Sequence, residues 1–214
     1  MVVGHQQQRS VAVYTSDTRL ASRIVDEAAS RGVRVKRVLS WDEIPLSTQV
    51  IISTRRDNPM KGHGHIIYAE DYTSTRAVID RALELCSGKE KVKEITISLD
   101  PGKRVGVAFI VDGAVIRTET HTDYENLAQS IEDFINNHAG ARVFILAGSG
   151  AHPYRDEMLE HLRKRLPKLF EQATLKLVPE HGTSRRPAWL PGRRRADEMA
   201  AAALPKKLRR ISRG

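Results

Sequence analysis

Two β-rich runs, residues 94–99 and 104–111, are separated by only four residues, Asp100-Pro101-Gly102-Lys103. Proline presets φ for the first corner of a turn and glycine accepts the tight backbone that follows, so the two runs should fold back on each other as a hairpin. A second reversal comes at Asp112-Gly113, a dipeptide suited to a two-residue turn, and residues 114–119 supply a third strand. The chain is thereby committed to an antiparallel meander with a carboxylate, Asp100, at the end of its first strand.

The pattern downstream is helical and strand-like in alternation. Leu127, Ile131, Phe134 and Ile135 share one face of an expected helix over 124–137, and residues 142–147 read as a buried strand. A long helix over 155–166, a last strand over 175–178 and an Ala-rich helix over 196–204 that stops at Pro205 complete the order β-β-β-α-β-α-β-α.

The first part of the chain is organised differently. Residues 11–15 read as a strand, Ser16 and Asp17 as caps, and Leu20, Ile24, Val25 and Ala28 as the apolar face of a helix closed by Gly32. Strands over 33–39 and 50–54, with a turn or short helix over 41–44 between them, give a βαβ-like, hence parallel, unit. Asn58, Pro59, Gly62 and Gly64 mark a loop, and residues 66–68 with a helix over 73–86 finish a small α/β domain of Rossmann- or receiver-like kind. No G-x-G-x-x-G follows the first strand, and the third ends in Ser53 where a phosphoacceptor receiver carries Asp, so neither dinucleotide binding nor phosphotransfer finds its residues. We therefore expect two domains, 1–88 and 89–214, the first of unreadable role.

Charge narrows the function. With 35 Lys and Arg against 26 Asp and Glu, a net +9 and a pI near 9.9, the chain is suited to polyanions, although a merely solvated basic surface has the same sum. The position of the charge favours the former, because Arg185, Arg186, Arg193, Arg194 and Arg195 cluster near the carboxyl terminus, followed by further Lys and Arg. Lys103 and Arg104 add two cations to the hairpin turn, and Trp189 is available to stack on a base or to anchor the loop. The lone Cys86 excludes an intramolecular disulfide, and no apolar run is long enough to span a membrane, so the expected setting is cytoplasmic.

The segment Leu99-Asp100-Pro101-Gly102-Lys103-Arg104-Val105-Gly106-Val107-Ala108 resembles the first hairpin of the YqgF/RuvC-like Holliday junction resolvases, a branch of the ribonuclease H-like superfamily. The resemblance implies a mixed sheet flanked by helices and a nuclease that acts on structured nucleic acid, junction DNA or RNA. It implies catalytic, metal-binding carboxylates at Asp100, at Glu180 in Val178-Pro179-Glu180-His181 and at Asp197 in Arg195-Ala196-Asp197-Glu198, with Glu198 as a rival ligand. The implied cofactor is Mg²⁺ or Mn²⁺, since carboxylate oxygens suit hard divalent ions. A homodimer matched to the two symmetric strands of a junction is implied as well.

Asp100 also has a plainer reading, as a turn carboxylate that accepts backbone hydrogen bonds. Two departures from the family pattern keep a non-catalytic, nucleic-acid-binding or scaffolding role open. Ala147-Gly148-Ser149-Gly150 offers no acid where the RuvC branch has Glu, and His181 stands where the YqgF branch has Arg. Gly148 and Gly150 instead leave room for a phosphate or backbone to approach.

Overall fold

The computed structural model describes residues 10–60, 64–179, 201–202 and 204–205. Contacts divide the chain into two compact units, Met1–Glu90 and Lys91–Gly214. Both are α/β, one on a parallel four-stranded sheet and the other on a mixed five-stranded sheet flanked by helices.

In the first unit, strands β1 (Val11–Tyr14), β2 (Val35–Val38), β3 (Val50–Ser53) and β4 (His65–Tyr68) lie in the order β2-β1-β3-β4, all parallel. The central strands are almost wholly apolar because both their faces are covered, and β3 is buried along its whole length. Edge strand β2 instead exposes Lys36 and Arg37. Helix α1 (Thr18–Ser30) starts where the Asp17 carboxylate accepts from the Arg19 and Leu20 amides at 3.0 and 2.9 Å, and buries Ala21, Ile24 and Ala28. Gly32 closes it at φ +71°. Helix α2 (Thr75–Cys86), capped by Ser74, is locked to α1 by the Arg31 guanidinium, which bridges Glu27 and Asp80. The other face of the sheet carries no long helix among the described residues; Ile44 and Trp41, in the connection from β2 to β3, pack on Ala12, Tyr14, Val38 and Ile51.

In the second unit, β5 (Glu94–Asp100), β6 (Val105–Val111) and β7 (Ala114–His121) form the antiparallel meander, and β8 (Arg142–Gly148) and β9 (Thr174–Val178) add in parallel to give β7-β6-β5-β8-β9. Asp112 and Gly113 make the two-residue turn with φ of +43° and +82°, and the Asp112 carboxylate accepts from the Glu94 amide at 2.9 Å. Helix α3 (Tyr124–Asn136), capped by Asp123, presses Phe134 onto Phe109 at a ring separation of 4.7 Å.

Two differences from expectation among the helices have physical reasons. Helix α4 (His152–Arg165) begins three residues early, because Pro153 fits the first turn, where no amide needs an intrahelical partner. Helix α5 (Pro167–Gln172) is a single additional element, opened in the same way by Pro167.

Side chains alternate across a sheet, so Ile95, Ile97 and Leu99 line one face of β5 and Thr96, Ser98 and Asp100 the other. Phe109, which pairs with Ile97, meets α3 on the first face. On the second face Ala108 and Ile110, the partners of Ser98 and Thr96, pack against Ala201 and Ala202, while Leu146 and Val178 pack against Leu204. No helix among the described residues is long and apolar enough to cross a membrane.

Candidate functional site

Asp100 is the last residue of β5 and not, as the sequence suggests, the first residue of the turn; it pairs with Gly106. It is half-buried, the following Pro101 is buried, and Lys103 and Arg104 are exposed at the tip. A Cβ at Gly102 would stand 3.2 Å from the Arg104 carbonyl oxygen, tighter than ordinary contact, so the turn would have to shift by a few tenths of an ångström to take a side chain.

Register extends the site across the sheet. Gly106 pairs onward with Thr120 of β7. On the other side Leu99 pairs with Ala147, and Gly148 pairs with Val178, so Asp100, Gly148 and Val178 end their parallel strands at one level. Glycine therefore flanks Asp100 at the corresponding level on both neighbouring strands. With strands about 4.8 Å apart, the Asp100 and Val178 backbones are separated by roughly 10 Å.

The carboxyl-terminal helical segment is fixed on the same face. Ser98, wholly buried, donates its hydroxyl proton to the Ala201 carbonyl oxygen at 2.6 Å, two residues before Asp100 on β5. Glu180, Asp197, Glu198, Arg185, Arg186, Trp189, Arg193, Arg194 and Arg195 lie outside the described residues, as does His181. Of the expected carboxylates the structure thus describes Asp100 alone, and no group of three or more metal-ligating side chains occurs among the described residues. A single carboxylate gives one or two of the roughly six oxygens that Mg²⁺ takes, so a metal centre here would need further ligands besides Asp100.

The connection from β8 to α4 borders this edge. Ala151 adopts φ +47°, and no side chain caps α4. Arg155 reaches back to donate to the Ser149 carbonyl oxygen at 2.8 Å and lies 3.0 Å from His152 Nδ1.

A second carboxylate at a strand end escaped the sequence reading. In the first unit Asp57, one 3-10 turn after β3, accepts from the Thr15 hydroxyl at 2.6 Å, the Ser16 hydroxyl at 2.6 Å, the Ser16 amide at 2.9 Å, and the Thr54 hydroxyl. This cage stands between β1 and β3, the point in the strand order where connections diverge and where such sheets commonly hold ligands. Partial burial pushes the Asp57 carboxyl up, but the hydrogen bonds from Ser16, Thr15 and Thr54 outweigh it and hold the group well below the usual carboxylate range. The signal was the Thr54-x-x-Asp57 spacing, in which Thr54 caps the turn that presents Asp57.

No protein-family model matches the chain, and no curated protein sequence matches it. Among solved structures, CetZ from Methanosaeta thermophila is similar at 11% identity and a TM-score of 0.27, over 95% of this chain and 54% of that one. The chain thus spans about half the length of that protein.

Proposed function

We propose that this chain is a metal-dependent nuclease of ribonuclease H-like architecture that acts on structured nucleic acid, junction DNA or RNA, through Asp100, Glu180 and Asp197. The observation that carries the reading is the common level of Asp100, Gly148 and Val178 at the ends of three parallel strands. Chain reach adds to it. Glu180 follows Val178 by two residues and Asp197 precedes Ala201 by four, so their backbones stay within roughly 7 and 14 Å of those anchors. The meander followed by two parallel additions also fits the resemblance.

In this reading Asp100, Glu180 and Asp197 would hold Mg²⁺ or Mn²⁺, with Glu198 as a rival to Asp197. Bound divalent ions supply an activated water and charge neutralisation at the leaving oxygen in phosphodiester hydrolysis. The chain's own part is to fix the carboxylates and to leave glycine beside them, so that a sugar-phosphate backbone can approach. Lys103, Arg104, Arg185, Arg186, Arg193, Arg194 and Arg195 hold flanking phosphates, and Trp189 stacks on an unpaired base.

A second reading has an observation of its own. Gly148, level with Asp100, puts no acid on β8, which suits a protein that binds nucleic acid without cutting it. Labelled four-way junctions, duplexes and single strands of DNA and RNA, incubated with Mn²⁺, separate the two. The wild type should cleave at least one substrate, and Asp100→Asn should lower the rate by at least about 10²-fold with binding retained. Binding without cleavage of any substrate by the wild type would reject the nuclease in favour of the scaffold.

A further inference from the structure

In the first unit the acids are used up internally and several cations are not. Asp17 caps α1, Glu27 and Asp80 hold Arg31, Asp71 holds Arg55, Glu84 holds Arg81, and Asp57 lies in its hydroxyl cage. Glu43 and Glu70 accept from the Leu39 and Arg55 amides, and Glu90 faces His65. Of the described acids in this unit only Asp26 and Asp42 have no such partner. Five exposed arginines, Arg19, Arg23, Arg34, Arg37 and Arg56, make no ion pair or side-chain hydrogen bond among the described residues.

Four of these arginines gather at one end of the sheet. Strands β1, β2 and β3 are parallel, so the residues that follow them share its carboxyl end. Arg19 and Arg23 stand one turn apart in the first half of α1, on the side opposite the buried Ala21, Ile24 and Ala28. Arg37, next to last on edge strand β2, pairs with Val13 and so lies on the face that α1 covers, since Ala12 and Tyr14 face Trp41 and Ile44. Arg56 follows β3, and its neighbour Asp57 accepts from the Ser16 amide at 2.9 Å, which holds the turn beside the start of α1. Arg34 lies apart, before β2, at the other end of the sheet.

We propose that this cluster is a second nucleic-acid contact, in which Arg19, Arg23, Arg37 and Arg56 hold phosphates along a duplex backbone. Guanidiniums spread over a helix and two strand ends, rather than converging on one point, suit a row of phosphates better than one small anion. Contacts of this kind position a duplex and read no sequence. The first unit thereby grips the polyanion while the second acts on it. The assignment rests on the proposed function only in taking nucleic acid as the polyanion, and it uses neither Asp100 nor the carboxyl-terminal arginines.

Titration of the full chain against a fluorescent DNA duplex in EDTA, over a range of salt, tests it. EDTA withholds divalent metal, so binding is read whether or not the chain cuts. Changing Arg19, Arg23, Arg37 and Arg56 together to Gln should flatten the slope of log affinity against log salt by about 3. Changing the same four to Lys should keep most of the slope, which separates lost charge from lost fold. Arg34→Gln with Lys36→Gln removes two cations outside the cluster and should leave the slope within about 0.5 of the wild type. A Gln variant whose slope stays within about 1 of the wild type, a Lys variant as flat as the Gln one, or a double variant with the same loss per charge would each overturn the proposal. So would a wild type that binds phosphatidylserine vesicles but no duplex. Failure here leaves cleavage by the wild type untouched, whereas a chain that never cuts still shows the change in slope.

Discussion

Asp57 accepts hydrogen bonds from three hydroxyls and an amide that belong to two different strand ends, and thereby ties the β1–α1 connection to the turn after β3. Charge-assisted hydrogen bonds are stronger than neutral ones, but the site is partly exposed, so Asp57→Ala should destabilise the first unit by about 2 kcal/mol in urea unfolding. Its folded-state pKa is depressed, so its contribution is present above the unfolded value near pH 4 and is lost as pH falls through the folded value. The gap between wild type and Asp57→Ala should therefore be widest above about pH 5 and shrink on acidification. A gap that stays constant through acid would show that the carboxylate's charge is not what the hydroxyls hold. Arg117 is a second charge whose surroundings packing alone decides. It sits in the expected third strand, where alternation gives no warning, yet it is 3% exposed and its guanidinium lies 4.1 Å above the Phe109 ring and donates to Ser130.

Among elements, the segment at Ala201, Ala202 and Leu204 has the most influence on the candidate site, because it packs on the face of the sheet that Asp100 shares with Ser98. Small residues meet small residues there, Ala201 and Ala202 against Ala108, which lets the segment approach closely enough for the Ser98 hydrogen bond. Ala201→Leu should overpack this contact and destabilise the second unit by about 2 kcal/mol, while Ser98→Ala should cost about 1 kcal/mol. If calorimetry finds Ala201→Leu neutral, the segment does not pack as described. Most elements were legible in sequence, since period and turn chemistry are local properties. Asp112-Gly113 stands at the turn and Asp17 at the start of α1, as read; the Ser74 and Asp123 caps were not singled out in the sequence. The exceptions, α4 and α5, both begin at or beside prolines, which signal a break and a helical first turn equally well.

For the whole molecule, the two units have separate sheets of different kinds, and the net charge of +9 is a property of the chain as a whole. If the carboxyl-terminal arginines meet phosphates, replacing Arg185, Arg186, Arg193, Arg194 and Arg195 by Gln should flatten the slope of log affinity against log salt by up to about 4. Filter-binding titrations across salt concentrations read this directly. An unchanged slope would move the nucleic-acid contact elsewhere on the chain.

The parallel first sheet and the meander could be read from the order of residues, because each follows from neighbours in the chain, whereas the sequence put Asp100 in the turn and the structure puts it at the end of β5. That order could not disclose that Gly106, Gly148 and Val178 stand level with Asp100, that Ser98 holds Ala201 across 103 positions of sequence, or that Asp57 closes a cage with Thr15 and Ser16. Those facts depend on register and on long-range packing, where a shift of one residue would turn every side chain to the opposite face of the sheet. Register is settled only when the strands and the segments that cover them assemble, and with it which face Asp100 shares with the carboxyl-terminal segment.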